Sequence, residues 1–227
     1  MDLTVIMPVF NEEKTLREII SKVKETGLAN EILVVDDGST DETKEILKEY
    51  QGDPVVRVIT SEKNEGKGAA VRKGILNARC EYAIIQDADL EYNPKFYPVL
   101  MQPIKDGIAD VVYGSRFLGS ARRPILFWNM VANKILTFTT NILYNNILSD
   151  METGYKLFKV SMVREIPLHA HGFDFEPEFT AKILKRKFRI YEVPIDFTPR
   201  YYTEGKKIKA KDGFVALWTL IKYRFVD

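Results

Sequence analysis

Apolar and polar positions in the first half of the chain switch repeatedly between two periods. Leu3-Thr-Val-Ile-Met-Pro-Val9 is short, apolar and β-branched, and then Leu16, Ile19, Ile20 and Val23 recur at helical spacing. Glu31-Ile-Leu-Val-Val35 is a second strand. Ser39 with Glu42 reads as a capping box that opens a helix running to about Tyr50. Val55–Ile59 and Tyr82–Ile85 are further strands, separated by a helix from about Lys67 to Arg79, and Asp110–Tyr113 is a fifth. Continuous apolar strands joined by helices predict a doubly wound α/β fold, its mostly parallel sheet covered by helices on both faces.

The second half has a different pattern. Residues 124–148 carry one charge, Lys134, among many apolar side chains including Phe127, Trp128, Ile135, Phe138 and Ile142. Such a helix reads either as core or as an interfacial, lipid-facing element, with Asn, Thr and Lys interrupting it too often for a membrane span. Phe175, Phe179 and Ile183 form a helical stripe suited to the core, and alternation of Tyr191, Val193, Ile195 and Phe197 marks a late strand. An amphipathic helix from about Asp212 to Phe225 carries Leu217, Trp218, Leu220 and Ile221.

Composition adds limits to this picture. The 227 residues suit one domain over 1–227, divisible into a nucleotide-binding half (1–115) and an acceptor-side half (116–227). A net charge of +1 gives no reason to expect nucleic acid as a partner. Its distribution is uneven: residues 1–60 hold 7 Lys/Arg against 13 Asp/Glu, residues 182–211 hold 10 against 3. The basic segment suits an anionic partner or surface. Cys80 is the single cysteine, so no intrachain disulfide forms and a reducing compartment is expected. Without a signal-peptide pattern or a run of 18 apolar residues, the expected location is cytoplasmic, peripheral on the cytoplasmic face of the membrane.

The chemistry concentrates beyond strand ends. Asp87-Ala-Asp89 follows the strand Tyr82–Ile85 directly, and Asp36-Asp37 ends another strand. Ligands of open α/β sheets bind beyond the carboxyl ends of strands. Acids gathered there raise each other's pKa unless a cation neutralises them. Mg²⁺ or Mn²⁺ is the economical cation, since both take carboxylate and diphosphate oxygens; Glu91 is a further candidate ligand. Asn64-Glu-Gly66-Lys-Gly68-Ala is not a P-loop, because no glycine lies five positions before Gly66 and no Ser or Thr follows Lys67. A dinucleotide fingerprint fails as well, with Val71 where a third glycine belongs. What remains is a glycine turn opening a helix, with Lys67 either near a donor or exposed. His169 and His171 lack partners at zinc-like spacing and read as surface or packing residues. Glu176 and Glu178 read as solvated helix acids or as a base on the acceptor side.

Four segments occur in the order seen in family 2 glycosyltransferases: Met7-Pro8-Val9-Phe10-Asn11-Glu12, Val35-Asp36-Asp37-Gly38-Ser39, Asn64-Glu-Gly-Lys-Gly68 and Asp87-Ala-Asp-Leu90. Gly114-Ser-Arg116, Asp150-Met-Glu-Thr-Gly-Tyr155 and Arg200-Tyr-Tyr-Thr-Glu-Gly-Lys206 resemble the dolichyl-phosphate mannose synthase, or polyprenyl-phosphate, branch. The resemblance spans nearly the whole chain. It implies a GT-A fold, with Pro8, Phe10, Glu12, Val35 and Asp37 holding base and ribose. Asp87 and Ala88 would sit beside the nucleotide, Lys67 near the donor, and Asp89 and Glu91 on the metal with Asp87. Arg116, Arg200 and Lys206 would contact diphosphate, sugar or acceptor phosphate, a task that suits the planar fork of Arg.

The implied reaction is inverting transfer of a hexose from a UDP- or GDP-sugar to a polyprenyl phosphate at a membrane surface. A membrane-anchoring partner subunit is among the expected partners; some members of that branch carry added transmembrane helices. A phosphate nucleophile is already anionic and needs no general base; a sugar hydroxyl would need one, such as Glu176, Glu178 or Asp150. A soluble transferase with a saccharide acceptor remains an alternative. A sugar nucleotidyltransferase or a non-catalytic nucleotide-binding subunit is a weaker one. Pro-Val-Phe-Asn-Glu stands where a nucleotidyltransferase needs a glycine-rich loop followed by Arg, and a dead subunit would not keep the acids.

Overall fold

In the computed structural model of the chain, which describes residues 1–119, 127–199 and 210–227, strand and helix alternate as the periodicity predicts. The elements are β1 (Leu3–Val9), α1 (Leu16–Glu25), β2 (Glu31–Asp36), α2 (Thr43–Lys48), β3 (Val56–Thr60), α3 (Lys67–Asn77), β4 (Tyr82–Ile85), α4 (Tyr97–Lys105) and β5 (Val111–Ser115). They continue with α5 (Phe127–Tyr144), β6 (Lys156–Lys159), α6 (Val160–Arg164), α7 (Phe175–Lys185), β7 (Ile190–Pro194) and α8 (Ala210–Phe225).

Successive side chains of a strand point to opposite faces, and β1 shows the consequence. Leu3, Val5, Met7 and Val9 enter one core with Leu16, Ile19, Ile20 and Val23 of α1 and Leu100 and Met101 of α4. Ile6 enters the other, with Val71 and Ile75 of α3, Val163 of α6 and the Phe175, Phe179, Ile183 stripe of α7. Helices therefore cover both faces of one sheet, whose strand order among the described residues is β3-β2-β1-β4-β6-β5-β7.

Three details correct the expectations. The sheet is not parallel throughout: β6 slots between β4 and β5 and runs antiparallel to both. The late strand ends at Pro194, and Phe197 joins only through an isolated bridge to Tyr92, while Tyr191 stays exposed. Ser39 and Glu42 do not form a capping box. Helix α2 begins at Thr43 with no side-chain cap from Glu42, and Ser39 Oγ instead accepts the Asn11 N–H at 3.0 Å. That contact ties the end of the second strand to the end of the first, a tertiary use of a residue whose local spacing suggested a helix start.

Helices α5 and α8 pack together through Leu136, Leu148, Met151, Ala216 and Leu220, apart from the two main cores. Asn133, Leu136, Thr137 and Thr140 are the buried residues of α5. Phe138 and Ile142 point outward, 65% and 64% exposed, as do Trp128, Phe214 and Trp218. The inner face is spent on hydrogen bonds: Asn133 Nδ2 donates to Asp150 Oδ1 at 3.0 Å, and Thr137 Oγ1 accepts the Met151 N–H at 3.1 Å. On α5, polar Asn133, Thr137 and Thr140 thus join Leu136 on the inward face, and Phe138 and Ile142 face outward. No helix among the described residues is long and apolar enough to cross a membrane.

Candidate active site

Parallel register brings the chemistry together. Ile6 lies level with Ile85, and Val9 with Asp36, so the segments after β1, β2 and β4 leave the sheet at one edge. There they border a cavity of about 930 Å³ whose far wall comes from α5 and α8. Pro8, Phe10, Glu12 and Asp37 line it from the first two strands. Asp87, Ala88, Asp89 and Glu91 line it from the loop after β4, with Lys67 from the start of α3 and Arg116 from the end of β5. Val35 instead lies inside the sheet, packed with Leu33 and Ala70. Arg200 and Lys206 fall outside the described residues.

Asp37 holds a turn. Its Oδ1 accepts the Glu65 N–H at 2.9 Å and its Oδ2 the Gly66 N–H at 2.8 Å. Burial pushes its carboxyl up, against the pull of those two N–H groups, so desolvation and not a neighbouring strand's acid is the first cause. Gly66, at φ +99°, turns the chain into α3 where an added Cβ would collide with the His171 carbonyl. The Ala69 N–H donates to that same carbonyl at 3.1 Å. His171 thus acts here through its backbone carbonyl and is itself exposed, in keeping with a surface residue.

Lys67 is neither exposed nor idle. Its Nζ lies 2.9 Å from Asp87 Oδ1 and 3.1 Å from Glu176 Oε1. Burial works against its charge, but Asp87 and Glu176 outweigh it and hold the ammonium well above the usual lysine range. Asp87 is also seated by Gly154, where an added Cβ would stand 2.6 Å from Asp87 Oδ2 and 3.1 Å from the Tyr92 ring. Between Asp89 and Glu91, Leu90 adopts φ +63°, a left-handed conformation that costs a side chain of this kind about 1–2 kcal/mol. The loop is closed from within by the Glu91 N–H donating to Asp89 Oδ1 at 3.1 Å.

Arg116 is no solvated loop residue. Its Nε and Nη2 grip Asp150 Oδ2 and Oδ1, each at 2.7 Å, and its own backbone N–H adds a third bond at 3.0 Å. Asp150 is wholly buried. Burial would raise its carboxyl, yet the Arg116 charge and hydrogen bonds hold it below the ordinary range.

The two helix acids are likewise buried, correcting the reading of them as solvated. Glu178 accepts the His169 N–H at 2.9 Å and the Lys182 ammonium at 2.8 Å, bracing the segment that backs onto Gly66. It does not line the cavity; Glu176 does. Sequence reasoning passed over Gln86, whose Oε1 accepts both Tyr97 OH (2.9 Å) and Tyr155 OH (2.6 Å) and whose Nε2 donates to the Asp87 and Tyr92 carbonyls. A polar residue closing an apolar strand just before Asp87 was the available signal. Glu152 was also passed over. Burial first, then the charge of Glu176, pushes its carboxyl well above the ordinary range.

Do these residues suit a divalent metal? The donor set is all carboxylate oxygen, which fits Mg²⁺ or Mn²⁺ and excludes a soft-ligand site. Among the described residues no three His, Cys, Asp or Glu side chains converge into a cage. Asp87, Asp89 and Glu91 share one wall of the cavity.

Known proteins resemble this chain in sequence and in fold. The sequence model for glycosyl transferase family 2 matches residues 4–167. A dolichol-phosphate mannosyltransferase of Pyrococcus furiosus is 31% identical over 220 residues, covering 94% of this chain and 61% of its own length. Glycosyltransferase AglJ of Haloferax volcanii is 28% identical over 197 residues, covering 86% of this chain and 63% of its own length. The chain thus spans about three-fifths of these two relatives. Glucosyl-3-phosphoglycerate synthase of Mycobacterium tuberculosis, solved with Mn²⁺, UDP and glucosyl-3-phosphoglycerate, superposes with a TM-score of 0.77 at 20% identity. The match covers all of this chain and 81% of that one, and the shared fold is GT-A.

Proposed function

The chain belongs to glycosyl transferase family 2, a family of sugar-transferring enzymes, and from that premise we propose that it moves a hexose from a UDP- or GDP-sugar to a polyprenyl phosphate at a membrane surface. The observation that carries the lipid acceptor is the exposed apolar face of the helix pair. Residues of α5 and α8 line the cavity that holds Asp87 and Asp89, while the same helices turn Phe138, Ile142, Phe214 and Trp218 outward. An apolar face at the rim of a polar cavity suits a substrate with a charged head and a hydrocarbon tail. Lys222 and Arg224 stand exposed on α8, each worth about 1 kcal/mol beside anionic headgroups.

In this reading the donor's base lies towards Phe10 and Asp37, and its diphosphate towards Asp87, Asp89 and Lys67. A bound Mg²⁺ or Mn²⁺ would neutralise charge on the departing diphosphate. The acceptor's phosphate oxygen attacks the anomeric carbon as the bond to the nucleoside diphosphate breaks, inverting that centre. The nucleophile is anionic at neutral pH, so the cavity needs no general base. Arg116, with Nε and Nη2 committed to Asp150, presents a guanidinium of fixed orientation to the cavity.

The test is transfer from labelled UDP- and GDP-hexoses to a short polyprenyl phosphate in anionic vesicles, with Mn²⁺, Mg²⁺ or excess chelator. Transfer should require the metal, and Asp89→Ala should abolish it without altering thermal unfolding. Transfer only to soluble saccharides would replace the lipid acceptor with a saccharide. An undiminished rate in chelator would remove the metal.

A further inference from the structure

Strand β7 carries an acid on the face that it turns to α5 and α8. Ile190 packs against the apolar cluster between those helices. Glu192 follows two positions later on the same face of the strand and reaches the segment between α5 and β6. Its Oε2 accepts the Ser149 N–H at 2.8 Å, and its Oε1 accepts the Ser149 hydroxyl and the Asp150 N–H, each at 3.0 Å.

Stability does not explain an acid at this place. All three donors are neutral, and the charge that acts most on Glu192 is that of Asp150, which repels it. Burial first, and Asp150 after it, push the Glu192 carboxyl up against the pull of its hydrogen bonds. A second acid beside a buried one is a local cost of the kind that gathers at functional sites. What a carboxylate alone supplies is two accepting oxygens. A glutamine has one, and its amide hydrogens would confront a backbone N–H.

From Glu192 two routes lead to Arg116. The first is short: Glu192 holds the Asp150 N–H, and the Asp150 carboxylate takes Nε and Nη2 of Arg116. The second runs through hydroxyls. Ser149 has one hydroxyl hydrogen, which goes to Glu192 Oε1. The 2.6 Å contact between the Ser115 and Ser149 hydroxyls is therefore donated by Ser115, whose Oγ in turn accepts the Phe117 N–H at 3.1 Å. This chain runs one way, and the acceptor at its end sets the direction. Ser115 and Phe117 flank Arg116, so the backbone and the guanidinium of Arg116 both rest on Glu192. Arg116 itself lines the cavity with Asp87 and Asp89.

We propose that Glu192 is a positioning residue for sugar transfer, fixing Ser149 and Asp150 so that the Arg116 guanidinium is held in one orientation at the cavity. The inference rests on the nucleotide-sugar reading above.

The experiment follows the Arg116 Nε–H by NMR in isotope-labelled protein, identified by its loss in Arg116→Lys, beside transfer rates and urea unfolding. Glu192→Gln should speed hydrogen exchange at that nitrogen about tenfold or more under conditions where the protein stays folded. In the same variant, kcat/KM for transfer from a nucleotide hexose to a polyprenyl phosphate should fall about ten- to hundredfold, the scale of a group misplaced by about 1 Å. Ser149→Ala keeps Glu192 and breaks only the hydroxyl chain. It should move both readings the same way by less, and it tests the network if Glu192→Gln fails to fold. A merely structural Glu192 would lower the unfolding midpoint and leave the Arg116 signal and the rate per folded molecule unchanged; that result would overturn the proposal. So would a loosened Arg116 with an undiminished rate. Failure of wild type to use any nucleotide sugar would overturn the nucleotide-sugar reading and the role in transfer with it, while the Arg116 signal still tells whether Glu192 holds that side chain.

Discussion

Replacing Arg116 with Met keeps the aliphatic stem but removes the guanidinium that grips Asp150. The carboxylate left behind is wholly buried and retains two donors, the residue 116 backbone N–H and Asn133 Nδ2, each at 3.0 Å. Removing one partner of a buried ion pair generally costs about 3–5 kcal/mol. A ceiling exists, because Asp150 can take up a proton instead. From an unfolded pKa near 3.9, that escape costs about 4 kcal/mol at pH 7 and about 1.5 at pH 5. The expected loss is therefore about 3–4 kcal/mol at pH 7, or roughly 10 °C in Tm for a chain of this size. In the wild type the Asp150 carboxyl is held below its ordinary range. Its stabilisation is complete above the unfolded pKa and is lost as pH falls through the folded one. The penalty of the variant must then shrink as the solution is acidified. Urea unfolding at pH 7 and pH 5 measures both values. The double variant Arg116→Met/Asp150→Asn, which leaves no buried charge, should be more stable at pH 7 than Arg116→Met alone. A loss below about 1 kcal/mol at pH 7, or equal losses at both pH values, would refute the buried-pair argument.

Gly154→Ala should push Asp87 and Tyr92 apart from their present seats; overpacking costs about 1–3 kcal/mol, and turnover should fall more than the melting temperature suggests, read by steady-state rates beside thermal unfolding. Asp37→Ala releases the Glu65 and Gly66 N–H groups, so UDP or GDP binding by calorimetry should weaken by about 1–3 kcal/mol; unchanged affinity for both would remove Asp37 from the donor site. Phe138→Ser with Ile142→Ser alters two exposed side chains and should leave stability within about 0.5 kcal/mol per site. The same pair should weaken sedimentation with anionic vesicles, and undiminished sedimentation would mean that this face does not meet lipid.

Local pattern was enough to place most elements of the first half of the molecule, though not α4 (Tyr97–Lys105). Each of its strands is a short apolar run and each helix carries its own stripe, as in Leu16, Ile19, Ile20 and Val23 of α1. Those signals depend only on neighbours within a turn or two. Asp87 and Asp89 were legible for the same reason, since an acid directly after a buried parallel strand must emerge at the sheet's binding edge. The role of other residues depended on partners distant in the chain. Strand β6 is four residues with Lys at both ends, and only its place between β4 and β5 makes it sheet. Glu176 looked solvated because charge is normally exposed; burial became affordable through Lys67, more than a hundred positions earlier. Composition could not orient α5, which is apolar on most sides. The buried Asp150 decided it, drawing Asn133 inward to donate to its carboxylate and leaving Phe138 and Ile142 to face outward. Periodicity is a property of neighbouring residues, whereas the burial of a charge is settled by whichever distant group can compensate it, and only the tertiary structure brings that group near.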